Sequence, residues 1–257
     1  MILAVDSGNT NIVFAVFDGE TLRGEWRAAT DANRTADQYA VWLLQLMAMA
    51  DVDKSEIDAV VIANVVPQSL FNLTQLATRY FNVQPIVVGA PGVTLGIRNM
   101  TDRPEQVGAD RLVNGLAGHR RYKGPLIIID FGTATTFDVI DADGNYRGGI
   151  IAPGVNLSMQ ALHAAAAHLP RVAIGRPQKA IGTDTVSAMR SGIYWGYVGL
   201  IEGLVARVKA EFGVAMTVIA TGGLAPLFAN ATTTIDHLDR DLTMHGLLEV
   251  YRLNSGQ

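Results

Sequence analysis

The chain has 257 residues, which suits one large domain or two domains of about 120 residues each. It contains no cysteine, which excludes disulfides, thiolate metal sites and cysteine nucleophiles. The net charge of −4 argues against nucleic acid as the main partner. No apolar run approaches the ~18 residues of a membrane span, and no basic segment typical of a signal peptide is visible. We therefore expect a cytoplasmic protein that binds neither membranes nor nucleic acid.

A short apolar strand over residues 2–5 opens the chain and leads into Asp6. The small polar loop 7–10 follows, and a second apolar strand covers 11–17 before the hairpin signal Asp18-Gly19. The pattern therefore predicts a carboxylate at the tip of a hairpin, beside a glycine and hydroxyl or amide side chains. Such a group of side chains can hold Mg²⁺ and receive a phosphate tail.

The same design returns in the second half of the chain. A strand over 126–129 leads into Asp130, Gly132 stands two residues later, and a strand over 133–140 precedes Asp143-Gly144. The two Asp-x-Gly units lie 124 residues apart and the two Asp-Gly turns lie 125 apart. One such loop can be an ordinary turn. Two in register predict a duplicated α/β domain with one phosphate-binding hairpin from each half.

The remaining patterns predict helices and strands in alternation. Thr35 and Gln38 form a capping box at the start of one of these helices. We expect two domains, 1–106 and 107–257. In chain order, the other predicted elements are strand 21–26, helix 35–50, strand 57–63, helix 67–80, strand 85–88, a connecting loop 89–106, helix 109–122, strand 146–151, a helix from about 155 to His168, loop 171–179, helix 183–212, strand 216–220 and helix 243–253.

The long helix 183–212 has glycines at 192, 196, 199 and 203, a spacing that puts them on one face. Glycine costs about 1 kcal/mol relative to alanine in a helix interior, so such a face implies that another helix packs closely against it. That helix belongs either to the same chain or to a second copy, and the sequence leaves both alternatives open.

Several common site motifs are missing, which excludes their chemistries. The sequence has no P-loop, no dinucleotide fingerprint, no H-E-x-x-H pair and no G-x-S-x-G elbow. Two other motifs suit a kinase. In Gly108-Ala-Asp110-Arg111, Asp110 is either an N-terminal cap or a general base for an alcohol, and Arg111 either clamps a carboxylate or pairs with a surface acid. Thr221-Gly222-Gly223 follows a late strand, where bare backbone can meet the adenosine part of a nucleotide.

The duplicated Asp-x-Gly hairpins resemble the actin, hexokinase and heat-shock ATPase superfamily, whose two ribonuclease-H-like halves clamp ATP in the cleft between them. Over nearly the whole chain, the set of motifs closely resembles type III pantothenate kinase. These motifs are Asp6-Ser-Gly-Asn-Thr-Asn11, Gly108-Ala-Asp-Arg111, Asp130-Phe-Gly-Thr-Ala-Thr-Thr136 and Gly148-Gly-Ile-Ile-Ala-Pro-Gly154. The resemblance implies ATP-dependent phosphorylation of the primary hydroxyl of pantothenate, the first step of coenzyme A synthesis, by a homodimer.

The resemblance also implies a role for each matching residue. Asp110 would accept the proton, Asp6 would lie near Mg²⁺, and Asp130 would hold a monovalent cation, K⁺ or NH₄⁺. The residues expected to bind ATP are Asp6, Ser7, Gly8, Asn9, Thr10, Asn11, Ile12, Val13 and Thr133, with Gly222 and Gly223 added from their position after a strand. The residues expected to bind pantothenate are Gly108, Ala109, Asp110, Arg111 and Thr185.

One feature departs from the family pattern, and two rival functions stay open. The family often has a tyrosine at the substrate pocket where this chain has Asn99-Met-Thr-Asp102, so one wall of the pantothenate site is unassigned. The first rival is a kinase of the same superfamily acting on another small alcohol. The second is a non-catalytic transcription accessory or regulatory relative that keeps the fold.

Overall fold

A computed structural model describes residues 1–165 and 169–256. Its strands are β1 (Ile2–Ser7), β2 (Asn11–Asp18), β3 (Thr21–Ala29), β4 (Ala59–Asn64), β5 (Ile86–Val87), β6 (Leu126–Phe131), β7 (Ala134–Ile140), β8 (Tyr146–Pro153), β9 (Thr217–Thr221) and β10 (His237–Leu238). Its α-helices are α1 (Ala36–Met49), α2 (Pro67–Tyr80), α3 (Ala109–Tyr122), α4 (Val155–Ala165), α5 (Thr185–Phe212), α6 (Ala225–Ala229) and α7 (Leu242–Asn254). Helix α4 was expected to reach His168, a position outside the described residues.

The chain forms two compact units, and their sheets have the same topology. The first unit contains Met1–Ala117 and the C-terminal segment from Leu242, and the second contains Gly118–Asp241. The strand order is β3-β2-β1-β4-β5 in one sheet and β8-β7-β6-β9-β10 in the other. In each sheet the central strand pairs antiparallel with the strand that follows it and parallel with the fourth strand. This correspondence confirms the predicted duplication.

In the first unit, the central strand β1 is buried on both faces because helices cover both sides of the sheet. Leu3 and Val5 belong to a core cluster with residues of α1 and α2. Ile2 and Ala4 point the other way and belong to a cluster with residues of α3 and α7. Side chains alternate along a strand, so Asp6 shares the face of Ile2 and Ala4. The carboxylate therefore stands at the end of an apolar strand, on the side covered by α3 and α7.

The compact units differ from the expected division into 1–106 and 107–257. The first unit extends through most of α3 to Ala117, and α7 packs with the first sheet although it closes the chain. The apolar face of α7, which includes Met244, Leu247 and Val250, is buried against this sheet and α3. The sequence pattern predicted the helix but not the sheet that covers it. The short elements α6 and β10 were not predicted either.

The glycine face of α5 is open within the chain. A Cβ built at Gly192, Gly196 or Gly199 meets no other part of the described chain within 4 Å. The opposite face of the helix supplies the core of the second unit with side chains that include Tyr194, Tyr197, Val198, Ile201 and Val205. Within the described residues of the second unit, no helix of the same chain packs on Gly192, Gly196 or Gly199.

Candidate active site

The first hairpin turns tightly because its backbone bonds to itself across the loop. Ser7 pairs with Ile12 at the end of the ladder, and the Gly8 amide donates to the Asn11 carbonyl at 3.0 Å. The side chains of Asn9, Thr10 and Asn11 are exposed. The predicted loop is therefore a tight turn whose exposed residues carry amide and hydroxyl groups.

Thr30 ties this loop to the end of β3 and was not predicted. Its hydroxyl donates to the Gly8 carbonyl at 2.6 Å, and its amide donates to the Thr10 carbonyl at 3.0 Å. The only signal available in the sequence was a threonine after a strand, which is too common to single out. The contact depends on β3 lying beside β2, which residue spacing alone does not report.

Val65, which follows β4, contacts both the Asp6 hairpin and the Gly108–Arg111 motif. The Val65 amide donates to the Ser7 carbonyl at 3.0 Å. A Cβ placed at Gly108 would lie 3.5 Å from Cγ1 of Val65 and 2.5 Å from Oδ1 of Asp110. Within the first unit, the hairpin of Asp6 and the motif that opens α3 therefore gather around Val65, another residue that the sequence did not single out.

Asp110 lies in the first turn of α3, after Ala109. Its Oδ1 accepts a hydrogen bond from the backbone amide of Arg111 at 2.8 Å. An N-cap residue precedes the helix and accepts from the second or third amide within it, so this geometry does not match the capping alternative. A carboxylate in the first helical turn still interacts favourably with the partial positive charge of the helix N-terminus.

Burial raises the pKa of the Asp110 carboxyl above its ordinary value. The hydrogen bond from the Arg111 amide and the charge of the Arg111 guanidinium act in the opposite direction and are smaller. Desolvation disfavours the charged form of a carboxyl group. Asp110 is therefore a stronger proton acceptor than an exposed aspartate, which is the property that a general base needs.

The second hairpin holds its carboxylate against a glycine. In the sheet, Asp130 pairs with Thr136 of β7 on one side and with Thr221 of β9 on the other. The next residue, Gly222, has φ +90°, and a Cβ there would lie 2.5 Å from Oδ1 of Asp130 and 2.8 Å from the amide nitrogen of Phe131. The T-G-G motif therefore leaves a space for bare backbone directly against the Asp130 carboxylate. Gly223 is exposed beside it.

The first turn of α4 lies against the same hairpin. A Cβ at Gly154 would fall 2.0 Å from the carbonyl oxygen of Thr133 and 2.9 Å from that of Gly132. Pro153, the last residue of β8, pairs with Ala134. The motif 148–154 therefore places a helix N-terminus directly behind the loop that was expected to contact phosphate.

Thr185 is exposed as the first residue of α5. The preceding residue, Asp184, caps this helix, and its carboxylate accepts a hydrogen bond from the Ser187 amide at 3.0 Å.

In the segment that stands where the family often has a tyrosine, the Asn99 side chain accepts from the Thr101 hydroxyl at 2.8 Å and donates to the Pro104 carbonyl at 3.1 Å. The Met100 side chain is 49% exposed there.

Over the described residues, no group of three or more His, Cys, Asp or Glu side chains could hold a metal ion by itself. A metal near Asp6 would therefore need phosphate oxygens and water as further ligands, as Mg²⁺ in nucleotide sites commonly does.

No helix in the described part of the chain is long and apolar enough to cross a membrane. The cytoplasmic location and the absence of nucleic-acid binding stay predictions.

A family model for type III pantothenate kinase matches residues 2–207. A type III pantothenate kinase of Paramagnetospirillum magneticum is 66% identical over 255 residues, covering 99% of this chain and 98% of that protein. The chain belongs to the type III pantothenate kinase family. The family resemblance inferred from the four motifs is thereby confirmed.

Solved structures related to this pantothenate kinase family member share its fold at low identity. A conserved protein from Campylobacter jejuni, described as a candidate Baf family transcriptional activator, has a TM-score of 0.63 at 19% identity over 99% of this chain and 100% of that chain. The activator of 2-hydroxyisocaproyl-CoA dehydratase from Clostridium difficile, solved with bound ADPNP, has a TM-score of 0.55 at 12% identity over 100% of this chain and 96% of that chain. These likenesses concern the fold alone and confirm the predicted α/β class with duplicated ribonuclease-H-like domains.

The raised pKa of Asp110 predicts a stability gain on its removal. A carboxyl whose pKa is higher in the folded state favours folding when protonated, and this contribution is lost as the pH rises through and above the unfolded value of about 3.9. At pH 7 the buried carboxylate therefore destabilises the fold. We expect Asp110→Asn to raise the melting temperature at pH 7, with the gain shrinking towards pH 4. Calorimetry at both pH values checks this, and a melting temperature lowered at pH 7 would contradict it.

Proposed function

We propose that this protein transfers the γ-phosphoryl group of ATP to the primary hydroxyl of pantothenate, with Asp110 as the general base. The observation that carries the proposal is the gathering of the Asp6 hairpin and the Gly108–Arg111 motif around Val65. A phosphate loop and a carboxylate of raised pKa then lie in one unit, beside an arginine. Family membership favours pantothenate over another small alcohol as the acceptor.

The proposed roles in the acceptor site follow from charge and geometry. Asp110 takes the hydroxyl proton as the oxygen attacks phosphorus. Burial raises the pKa of its carboxyl, which makes it a stronger base than an exposed aspartate. Arg111, half-buried in the next position, is suited to hold the pantothenate carboxylate in a bidentate pair. Gly108 and Ala109 provide backbone beside it. In the second unit, Thr185 has an exposed hydroxyl and stays a proposed contact for pantothenate.

Each hairpin, taken by itself, has features suited to binding a nucleotide. The backbone of residues 6–13 with the exposed side chains of Asn9 and Thr10 is suited to donate to phosphate oxygens. The hairpin of Thr133 has the N-terminus of α4 behind it, whose partial positive charge favours an anion. The bare backbone of Gly222 and Gly223 is suited to the adenosine part of ATP.

The cations proposed for the site fit the residues present. Asp6 offers one carboxylate at a strand end, which suits Mg²⁺ that also takes phosphate oxygens and water. When bound, Mg²⁺ would neutralise charge on the transferring phosphoryl group. At Asp130, the residue that lies against Oδ1 is Gly222, which brings no side chain to the carboxylate. This is the position proposed for K⁺ or NH₄⁺.

We also propose that the protein is a homodimer in which the glycine face of α5 packs against its counterpart. The four glycines of this face, three of them exposed, lower helix stability by about 1 kcal/mol each relative to alanine. The open space above Gly192, Gly196 and Gly199 is what a close crossing with a second helix would fill. The exposed Trp195 side chain, at 37%, adds apolar area near this face.

The central experiment is the release of ADP by the purified protein with and without pantothenate. We expect release only with pantothenate, and we expect Asp110→Asn to lower kcat by about 10²- to 10⁴-fold, the usual contribution of a general base. The KM for ATP should stay close to that of the unmodified protein. Asp241→Asn removes an exposed carboxylate and serves as the matched control. Near-normal turnover by Asp110→Asn would remove Asp110 from the mechanism.

Replacing Gly222 tests the cation site. In Gly222→Ala, the added Cβ displaces the Asp130 carboxylate, so we expect the K⁺ concentration for half-maximal activity to rise at least about tenfold, or ~1.4 kcal/mol. Gly213→Ala is the matched control, because Gly213 also has positive φ but its Cβ would meet nothing within 4 Å. Activity that is indifferent to exchanging K⁺ for Na⁺ in the unmodified protein would refute the role of Asp130.

Replacing a glycine of this face by a larger residue tests the proposed dimer. In Gly199→Leu, the new side chain has room within the monomer but blocks close approach of a second helix. We expect light scattering after gel filtration to show a dimer for the unmodified protein and a monomer for the variant. Glu211→Leu, an exposed position beyond the last of the four glycines on the same helix, should remain dimeric. A monomeric unmodified protein, or a dimeric Gly199→Leu, would contradict the proposed interface.

A further inference from the structure

Tyr197 connects three elements of the second unit through its hydroxyl group. The ring lies in the core on α5 and is 5% exposed. Its hydroxyl donates to the carbonyl of Pro153, at the end of β8, and lies 2.9 Å from the hydroxyl of Ser158 in the first turn of α4. A tyrosine hydroxyl has one proton, so the Ser158 hydroxyl is the donor in the second bond. We call Tyr197, Pro153 and Ser158 with these two bonds the Tyr197 clamp.

The clamp holds the backbone on both sides of Gly154. Pro153 precedes this glycine, and the Ser158 amide donates to the Gly154 carbonyl at 2.8 Å. Gly154 in turn lies against the carbonyl oxygens of Gly132 and Thr133, where no Cβ would fit. The position of Gly154 therefore sets how far the Thr133 loop can move towards the core, and the Tyr197 hydroxyl fixes that position.

The packing of the Tyr197 ring is separate from the bonds of its hydroxyl. The ring lies 5.9 Å from that of Phe228, which stacks on Phe131 at 5.3 Å. Phe131 directly precedes Gly132, so the ring supports the same loop from the apolar side. A phenylalanine at position 197 would keep the ring contacts and lose the hydrogen bonds of the hydroxyl, including those to Pro153 and Ser158.

We propose that Tyr197 is a positioning residue for ATP, which acts by holding the first turn of α4 behind the Gly132–Thr133 loop. The inference rests on the proposed function only in that this loop binds the nucleotide phosphates. Loss of the clamp should therefore weaken the binding of MgATP and leave the binding of pantothenate unchanged. Tyr197 is buried in the core behind this loop, so the residue would support the site without being catalytic.

The test is calorimetric titration of MgATP into the full-length protein in the absence of pantothenate. We expect the Kd for MgATP to rise about 2- to 10-fold in Ser158→Ala, which loses one anchoring hydrogen bond, and at least as much in Tyr197→Phe, which loses both. Tyr194→Phe is the matched control, since it removes a hydroxyl from another buried tyrosine of the same helix whose ring also stacks on Phe228. Its Kd for MgATP should equal that of the unmodified protein.

The steady-state parameters give a second readout. We expect the KM for ATP to rise in Tyr197→Phe while the KM for pantothenate is unchanged. A normal Kd in this variant, or an equal loss in Tyr194→Phe, would overturn the proposal and leave the tyrosine a purely structural role. Failure of the unmodified protein to phosphorylate pantothenate while it binds MgATP would overturn the proposed function and leave this inference standing.

Discussion

Two close backbone approaches hold the second phosphate hairpin in place. Gly154 lies against the carbonyls of Gly132 and Thr133, and Gly222 lies against Asp130 and the backbone of Phe131. A Cβ at either position would come within 3.0 Å of these atoms, closer than a real Cβ approaches without displacing its neighbours. The carboxylate and the phosphate loop therefore keep their geometry only while both neighbouring positions lack side chains. This steric condition explains why the polar loops of the hairpin are flanked by glycine-containing motifs far away in the sequence.

Helix α5 serves the protein on two faces. One face carries Tyr197 into the core behind the Thr133 loop, and the other presents glycines with open space above them. In a monomer the glycines only destabilise the helix, because each exposes backbone and increases the entropy lost on folding. A close crossing with a second copy would recover that loss through packing. The same helix would then support the nucleotide loop and the assembly of the protein.

Asp110 illustrates the cost of placing a base in a folded chain. The carboxyl is desolvated, which raises its pKa and makes the charged form less favourable than in an exposed aspartate. The adjacent amide and guanidinium of Arg111 recover part of this energy without removing the shift. A neutral side chain there would favour the fold and remove the proton acceptor. Such conflicts between stability and activity are common where a site needs a perturbed group.

The sequence by itself determined the elements and the chemistry of the motifs. Alternation of apolar residues, the capping box at Thr35 and the Asp-Gly turns are local patterns, so they predicted the hairpins, most helices and the duplication. The likeness of four short motifs was enough for the family, because each combines a strand end, a glycine and a charged group in a fixed order. The site residues themselves were chosen from those motifs.

Only the tertiary structure decided which distant residues support the motifs. Thr30, Val65 and Tyr197 bond to backbone carbonyls that lie far from them in sequence, and none stands in a pattern that marks it. The same holds for α7, whose apolar face could cover either sheet until the chain is folded. The glycines of α5 allowed two packing arrangements, and only the folded second unit shows that none of its own helices fills the space above Gly192, Gly196 and Gly199. Local patterns report the conformation of a segment, whereas the identity of its neighbours depends on how segments distant in the chain pack together.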